Sequence, residues 1–273
     1  MTAAAVCHTL VTSMNEPFNI RYAEETIPVF ARSFGSWQIS VQRLAFSSPE
    51  LTRRYDRAAP GWDRTLDRLG YPGAYETLLR RVLSEEGLEV VGARPHVLDC
   101  GVGTGALSGA LARVLPTPFK LDAIDISTRM LERASRSLRD TDLEVTLRQG
   151  DVRELPYRDE VFDLAMTAHV LEHLVDPSVA LNEIVRVLKP GGLLIACLTS
   201  RSAFGMIVHL KWRTHRVTPA QAERWLLESG LDNAHCLSPD DRALRKWLRL
   251  ACVGRKPRLA NTASSFEPLT KES

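Results

Sequence analysis

Between about Arg94 and Lys256 the chain alternates short, almost wholly apolar runs with amphipathic stretches of helical period. Apolar runs separated by helices indicate a parallel β-sheet that is covered on both faces, which is an α/β fold. The predicted strands are His96–Cys100, Lys120–Ile126, Glu144–Gln149, Phe162–Thr167, Gly192–Thr199, Asn233–Leu237 and Leu248–Arg255. The predicted helices are Ala106–Val114, Met130–Leu138, Pro177–Val187 and Pro219–Ser229. No comparable helix separates the last two strands, which predicts an antiparallel edge.

Residues 1–92 differ from this pattern, because we identify no strand in them. Pro28–Val41 and Tyr75–Leu83 show helical spacing of apolar side chains, and turn residues occur at Ser47–Pro49. We therefore expect three parts, and their predicted bounds are an N-terminal helical cap or lid over 1–92, an α/β core over 93–257 and a mobile tail over 258–273.

The net charge and the length of the apolar runs argue against a nucleic-acid-binding protein and against a membrane-spanning one. Lys and Arg number 35 and Asp and Glu number 33, so the net charge is +2. Proteins that bind nucleic acids usually carry a marked basic excess, so no nucleic-acid partner is expected. No apolar run approaches the roughly 20 residues of a membrane span, and the N-terminus lacks the features of a secretory signal. We expect a cytoplasmic protein without stable membrane insertion.

The cysteines point to a reduced protein. The chain has five of them, and no pair has CxxC spacing, so a zinc site or a thioredoxin-like motif is not expected. Cys100, Cys197 and Cys252 fall in predicted strands, where a free thiol behaves as a small core residue. No metal ion is expected.

A strand–glycine–helix motif, VLDCGVGTGALSGAL at residues 97–111, carries the strongest functional signal. Gly101, Gly103 and Gly105 allow a tight turn and a close approach of a ligand to the backbone, and the following helix offers free N–H groups. The spacing also satisfies the dinucleotide fingerprint, which is weak on its own. Asp99 precedes the glycines and would repel a pyrophosphate, but it suits a ligand that carries an ammonium and a sulfonium group. The motif therefore favours such a ligand.

Two further carboxylates end the next two predicted strands. Asp125, in LDAIDIS, lies about 20 residues beyond the glycines, where an acid accepts hydrogen bonds from ribose hydroxyls. Asp151, in RQGDV, is placed to accept from an adenine amine while Val152 donates its N–H to the ring. Each acid alone would more often be a solvated loop residue or a helix cap. Three acids at successive strand ends indicate one ligand site.

Together these motifs resemble those of the class I S-adenosylmethionine-dependent methyltransferases. DCGVGTG matches the family's glycine motif, IDIS its ribose-binding acid and GDVRELPY its adenine-binding segment. FDLAMTAHVLEHL (162–174) and LKPGGLLIACL (188–198) match the segments that follow the fourth strand and lead into the fifth. The resemblance covers about residues 93–256. It implies S-adenosylmethionine as the cofactor and a Rossmann-like, doubly wound sheet of seven strands whose last strand is reversed.

The resemblance also implies which residues contact the cofactor. They are Tyr55, Trp62, Asp99, Gly101, Gly103, Gly105, Asp125, Ile126, Met130, Asp151, Val152 and Thr167. RYDRAAPGWDRTLDRLG (54–70) resembles a helix that folds over the cofactor in quinone-biosynthesis methyltransferases, which implies that Tyr55 or Trp62 closes the pocket on the methionine end. The alternative is that both are packing aromatics of a cap helix.

Two histidines are the candidate general bases. His169 and His173 follow the fourth strand of the core, and the pKa of histidine lies near neutrality. The alternative is that they only stabilise the loop. A sulfonium-bound methyl group is already activated, so a nitrogen acceptor needs no base.

A basic segment at residues 201–217 is a candidate acceptor site. It has four cations and no acid, and we expect Arg213, Arg216, Phe204 and Trp212 to contact an amphiphilic acceptor that carries a carboxylate or phosphate. The alternative is an amphipathic helix with a solvated basic face. Arg53, Arg54 and Arg57 of the cap would serve the same pocket or only solvate the cap helix.

The main hypothesis is an S-adenosylmethionine-dependent methyltransferase that acts on a small molecule, either a secondary metabolite or a quinone-like compound. The first alternative is a lipid-headgroup methyltransferase at a membrane surface, suggested by the basic segment. The second is a non-catalytic protein that binds S-adenosylmethionine. Thr167-Ala168-His169-Val170 stands where an enzyme that methylates nucleic-acid bases usually carries an Asn/Asp-Pro-Pro-Tyr motif.

Overall fold

The computed structural model describes residues 10–13, 26–87, 94–199, 209–215, 217–237 and 250–258. The strands are β1 (Leu10–Ser13), β2 (Thr26–Phe34), β3 (Trp37–Leu44), β4 (His96–Cys100), β5 (Lys120–Asp125), β6 (Glu144–Gln149), β7 (Phe162–Ala168), β8 (Leu188–Leu198), β9 (Asp232–Cys236) and β10 (Leu250–Arg255). The helices are α1 (Ser48–Leu69), α2 (Tyr71–Glu86), α3 (Ala106–Val114), α4 (Thr128–Ser137), α5 (Pro177–Val187) and α6 (Pro219–Glu228), and a 3-10 turn covers Leu171–His173.

Seven strands form the central sheet in the order β6-β5-β4-β7-β8-β10-β9. The five strands from β6 to β8 are parallel, whereas β10 runs antiparallel to both β8 and β9. The predicted seven-stranded sheet with an antiparallel edge is confirmed. The strand order reverses at β4, where chain connections leave to opposite sides, and ligands of open α/β sheets bind at such a point.

Alternate residues of each strand supply two cores, one on each face of the sheet. Val97 packs with α2, α3 and α4, whereas its neighbour Leu98 packs with α5 and α6. Because strand side chains point alternately to the two faces, an almost wholly apolar strand is buried on both sides. The doubly wound architecture follows from this burial.

The segment before the core is partly β-sheet, so the prediction of a helix over Pro28–Val41 and of no strand in residues 1–92 is wrong. Strands β1, β3 and β2 form a three-stranded antiparallel sheet. In WQISVQRL (37–44), apolar residues alternate with polar ones, which is the period of a strand, and β-branched and aromatic residues favour it. The two-residue turn at Gly35 and Ser36, with Gly35 at φ +58°, closes the β2–β3 hairpin.

Two helices, α1 and α2, follow the three-stranded sheet and precede the seven-stranded one. The predicted helix at Tyr75–Leu83 is confirmed within α2, whose Leu78, Leu79 and Val82 are fully buried. The division into a cap over 1–92, a core over 93–257 and a tail over 258–273 stays a prediction, since residues 88–93 and 259–273 lie outside the described residues. Among the helices that the structure describes, none is long and apolar enough to cross a membrane.

Cys252 is not the free core thiol that the sequence suggested, because it forms a disulfide with Cys236. The two residues are direct partners across the antiparallel β9–β10 pair, where side chains share one face and lie close together. The expectation of a wholly reduced protein is therefore corrected. Cys100 and Cys197 are free and buried, as expected.

Candidate functional site

A cavity of about 440 Å³ opens at the carboxyl ends of β4, β5 and β7 and is roofed by α1. Its volume lies in the range of small-molecule sites, roughly 300–1,000 Å³. The predicted residues on its wall are Tyr55, Trp62, Asp99, Gly101, Gly103, Asp125, Ile126, Met130, Asp151, Val152, His169 and His173. The topology therefore brings most of the predicted site residues to one cleft.

The glycine loop is tied to the neighbouring strand by backbone hydrogen bonds. The N–H groups of Gly101 and Val102 both donate to the carbonyl of Ile124, at 2.8 and 3.1 Å. Gly103 has φ +53°, and no atom lies within 4 Å of the position that a Cβ would take there. Because Gly103 also lines the cavity, that open space belongs to the ligand cleft.

Asp125 holds the glycine loop in addition to facing the cavity. One carboxylate oxygen accepts from the N–H of Gly103 and the other from the N–H of Ser127, both at 2.9 Å. Burial raises the pKa of Asp125 to about 6, although both hydrogen bonds oppose this shift. Ser127 also donates its hydroxyl to Asp56 of α1 at 2.6 Å, so the acid end of β5 is tied to the roof. Sequence reasoning missed Asp56.

Asp99 is the most buried acid of the cleft, with 1 % of its surface exposed. Burial raises its pKa to about 7; the hydrogen bond from Ser108 (2.5 Å) opposes the shift, and the nearby Asp125 adds to it. A buried carboxylate with a raised pKa gains from a cationic ligand, because the opposite charge favours the ionised form. Asp99 therefore fits the ammonium-bearing end of the cofactor that the resemblance implies.

Asp151 follows β6 and lines the cleft, where it pairs with an arginine that the sequence analysis did not single out. Arg153 Nε donates to Asp151 Oδ1 at 3.0 Å, and Arg153 Nη2 donates to Asp151 Oδ2 at 2.6 Å. The same Nη2 donates to the hydroxyl of Ser48 at the start of α1. The two-pronged pair lowers the pKa of Asp151, against the effect of its partial burial. Arg153 follows Asp151 by only two residues, and that spacing was the available signal.

His169 occupies a constrained position at the end of β7. Its backbone lies in the left-handed region, at φ +59°, and its N–H donates to the carbonyl of Cys197 at 2.8 Å. Its Nδ1 lies 3.0 Å from the hydroxyl of Thr199, and this hydroxyl donates to Glu172 at 2.7 Å. Because the single hydroxyl proton is used on Glu172, Nδ1 carries the imidazole proton and donates to Thr199 and, at 3.3 Å, to Glu172. The lone pair is then on Nε2, which is buried and has no hydrogen-bond partner among the described residues.

Glu172 anchors this group from a buried position. Burial would raise its pKa, but the hydrogen bonds from His169 and from the hydroxyl of Thr199 outweigh burial and hold the pKa at about 2. Glu172 is therefore a carboxylate at neutral pH, and it stabilises the Nδ1–H tautomer of His169 through Thr199.

His173 is engaged differently from His169. Its Nε2 lies 2.9 Å from the hydroxyl of Tyr55, and burial lowers the pKa of His173 to about 4. Burial also raises the pKa of Tyr55 well above its usual value, so both groups are neutral at pH 7. Nε2 of His173 is thus already bonded in either tautomer, which favours His169 over His173 as the base.

An aromatic cluster backs the roof of the cavity. Tyr55 stacks on Trp212 with ring centroids 4.7 Å apart, and Trp62 meets both rings edge to face, at 6.0 and 5.7 Å. Trp212 is buried and does not line the cavity, but it contacts three residues that do: Tyr55, Trp62 and His173.

The other predicted residues lie at or beyond the edge of the cleft. Gly105 is the N-cap residue that precedes α3, and the buried Thr167 does not line the cavity; its hydroxyl donates to the carbonyl of Cys100 at 2.9 Å. The guanidinium of Arg213 lies 4.5 Å from the ring of Phe46, which lines the cavity. The remaining two, Phe204 and Arg216, lie outside the described residues.

Sequence reasoning also missed the β3–α1 connection. Residues 45–48, including Phe46, line the cavity. The misassigned helix over Pro28–Val41 concealed this contribution, although the turn signal at Ser47–Pro49 marked the place where the chain changes direction.

Comparisons with known proteins identify the family. A methyltransferase domain family matches residues 98–196. The demethylmenaquinone methyltransferase of Lactiplantibacillus plantarum is 32 % identical over 60 % of this chain and 69 % of its own length. The protein of the same name from Lactobacillus johnsonii is 31 % identical over 67 % of this chain and 74 % of its own length.

Solved structures agree on the fold. A SAM-dependent methyltransferase from Thermotoga maritima superposes with a TM-score of 0.52 at 20 % identity, covering 76 % of this chain and 99 % of that one. The [4+2]-cyclase SpnF superposes with a TM-score of 0.56 at 20 % identity, covering 79 % and 98 %. A cyclase among the neighbours shows that the fold alone does not decide the reaction. The sequence relatives and the family match decide it: the chain belongs to the class I S-adenosylmethionine-dependent methyltransferases, and the predicted cofactor and enzyme class are confirmed.

Proposed function

We propose that the acceptor is a small hydroquinone-type aromatic compound, methylated at a ring carbon, and that His169 is the general base. The observation that carries this proposal is the position of His169 on the cavity wall, with its Nδ1 proton held by Thr199 and its buried Nε2 without a hydrogen-bond partner among the described residues. Two relatives bear the name demethylmenaquinone methyltransferase, which supports a quinone-like acceptor over a lipid headgroup.

The half of the cleft that holds the cofactor needs only to bind S-adenosylmethionine and to orient its methyl group. When bound, S-adenosylmethionine supplies an activated methyl group on a sulfonium. Asp99 holds the ammonium group, Asp125 the ribose hydroxyls, and Asp151 with the N–H of Val152 the adenine ring. Ile126 and Met130 supply apolar wall on the same side. This assignment rests on their shared cavity and on the matching family motifs.

The acceptor half supplies the proton chemistry. As the ring carbon forms its new bond to the methyl carbon and the carbon–sulfur bond breaks, the acceptor hydroxyl gives its proton to Nε2 of His169. The electron density left on the oxygen raises the nucleophilicity of the ring carbon. The hydrogen on that carbon then leaves as a proton, and the oxygen recovers its proton from His169, so one proton is released per turnover. A positioned base of this kind contributes roughly 10²–10⁴-fold.

The roof residues exclude water and orient the acceptor. Tyr55 and Trp62 close the cavity over the methyl group, with Tyr55 fixed by His173 and by stacking on Trp212. Arg213, whose guanidinium lies beside the cavity-lining Phe46, interacts with a substituent of the acceptor, and Arg216 and Phe204 are proposed to contribute from the same basic segment. The cytoplasmic location stays a prediction.

The test is methyl transfer from labelled S-adenosylmethionine to a short-chain demethylmenaquinol, with the product's methylated atom assigned by NMR. We expect His169→Ala to lower kcat by about 10²–10⁴-fold and the loss to shrink as pH rises and the acceptor ionises without help. Cofactor affinity should not change. His235→Ala, at a histidine on β9 remote from the cleft, is the matched control.

Three outcomes would overturn parts of this proposal. Label found on phospholipid favours the lipid-headgroup alternative, and cofactor binding without any labelled product favours the non-catalytic one. Full turnover in His169→Ala shows that proximity alone drives transfer, and a nitrogen or already ionised acceptor then replaces the hydroquinone.

A further inference from the structure

The tip of the β2–β3 hairpin exposes two large aromatic side chains. Phe34 and Trp37 are direct cross-strand partners on either side of the two-residue turn, so their rings share one face. Phe34 is 50 % exposed and Trp37 is 47 % exposed. Two exposed aromatics at the narrow end of a hairpin form a small apolar surface that no described part of the chain covers.

The charge of this segment has one sign. From Thr26 to Pro49 the sequence has two arginines and no acid, and Glu50 is the first carboxylate after it. The Arg32 guanidinium lies 5.2 Å from the centroid of the Phe34 ring, so a cation adjoins the aromatic tip. An apolar tip beside a cation, in a segment without acids, complements an anionic surface with an apolar interior.

The base of the hairpin is fixed at the mouth of the cavity. Arg43 donates to the carbonyl of His209 at 2.9 Å, and the guanidinium groups of Arg54 and Arg213 lie 3.9 and 4.5 Å from the ring of Phe46. Phe46 itself lines the cavity. Two more apolar side chains near this base, Leu44 and Leu210, are 54 % and 58 % exposed. The base of the hairpin, with its cations, therefore adjoins the cavity, and the aromatic tip lies at the far end of the same hairpin.

We propose that the hairpin tip, with Phe34 and Trp37, docks this protein reversibly on an anionic phospholipid surface. Amphipathic aromatic rings favour the membrane–water interface, and arginines beside them interact with anionic headgroups. Strand β3 leads from this tip into residues 45–48, which line the cavity. The surface proposal does not depend on which acceptor is methylated.

The test is co-sedimentation of the full chain with phosphatidylcholine–phosphatidylglycerol vesicles and with phosphatidylcholine vesicles. We expect stronger binding to the anionic vesicles, and a loss of at least about tenfold in Phe34→Ser/Trp37→Ser, because partition scales with buried apolar area. Arg32→Gln should weaken binding to the anionic vesicles about fivefold. Leu227→Ser, which removes a side chain of similar exposure (52 %) from α6, should bind as the wild type does.

Fluorescence locates the contact. The chain has five tryptophans, and the vesicle-induced blue shift should disappear in Trp37→Phe while co-sedimentation persists. Equal sedimentation of wild type and Phe34→Ser/Trp37→Ser, or no sedimentation of the wild type, overturns the proposal. So does a dimer that becomes monomeric in the double variant without any vesicle binding, since the tip is then an interface between two copies. S-adenosylmethionine binding in the double variant keeps a folding defect distinct from a docking defect.

Discussion

The two halves of the cleft are built by different kinds of contact. On the glycine-loop half, the backbone of residues 101–105 hydrogen-bonds to β5 and to the Asp125 carboxylate. On the aromatic half, side chains from distant segments contact each other, as Tyr55 does with His173 (118 residues apart) and with Trp212. The first half is fixed by main-chain geometry, whereas the second depends on the docking of α1 and the β2–β3 hairpin. We therefore expect substitutions on the first half to change cofactor binding and those on the second to change turnover or acceptor binding.

The largest effect is expected for Gly103→Val. The new side chain would be forced into a left-handed backbone conformation and into the open space of the cleft, so S-adenosylmethionine binding should be abolished in calorimetry. Gly73→Ala, in α2 and likewise without atoms within 4 Å, is the matched control and should bind normally. Retained affinity in Gly103→Val would show that the ligand does not approach this loop. It would contradict the assignment of cofactor binding to the glycine-loop half of the cleft.

Asp125→Ala should weaken cofactor binding by about 1.5–3 kcal/mol, the range for hydrogen bonds to a charged group. The change also removes the acceptor of the Gly103 N–H, so the loop loses its support together with the ribose contact. Asp122→Ala, three residues earlier on the same strand and bonded to His96, should leave the affinity unchanged. Isothermal titration calorimetry of both variants with S-adenosylmethionine distinguishes the loss of a ligand contact from a general destabilisation of β5. Unchanged affinity in Asp125→Ala would remove its ribose role.

The affinity for S-adenosylmethionine should rise with pH between about 5 and 8. Burial raises the pKa of Asp125 to about 6 and that of Asp99 to about 7, and only their ionised forms attract a cationic ligand. The gain should be no more than about tenfold per pH unit for each group. The free energy of unfolding of the ligand-free protein should instead fall as pH rises over this range. Burial disfavours the ionised form of both acids, so each pKa is higher in the folded state than in the unfolded state.

Calorimetry across this pH range, paired with thermal unfolding, checks both signs. Asp99→Asn should remove the part of the affinity change centred near pH 7. An affinity that is flat in the wild type contradicts the assignment of Asp99 to the ammonium group.

The smallest effect is expected on the aromatic half, for the pair Arg213→Gln and Arg216→Gln. If both arginines contact an anionic group of the acceptor, the acceptor KM should rise by a few-fold while kcat and cofactor affinity stay constant, the signature of a ground-state contact. Arg224→Gln, at an exposed position on α6, is the control. Steady-state kinetics identical to the wild type would make the segment a solvated basic surface.

The helical lid predicted for residues 1–92 shows where sequence reasoning failed. In Pro28–Val41 the apolar residues fit a helical period when read as spacing alone, but Trp37, Ile39 and Val41 alternate with polar residues as a strand requires. Short apolar runs satisfy both periods, and the strand is stable here because β3 pairs with β2 across the turn at Gly35. The same error concealed Phe46 and the β3–α1 connection as part of the cleft.

The sequence by itself determined the sheet, the glycine loop and the line of acids at the strand ends. Each of these depends on contiguous residues, because a buried strand, a tight turn and a helix start are local patterns, and parallel strands place their carboxyl ends at one edge. Only the tertiary structure decided that Arg153 pairs with Asp151, that Thr199 and Glu172 fix the tautomer of His169, and that Tyr55 occupies Nε2 of His173. Most of these contacts join residues far apart in the chain, and a hydrogen bond depends on distances of tenths of an ångström that no local pattern encodes.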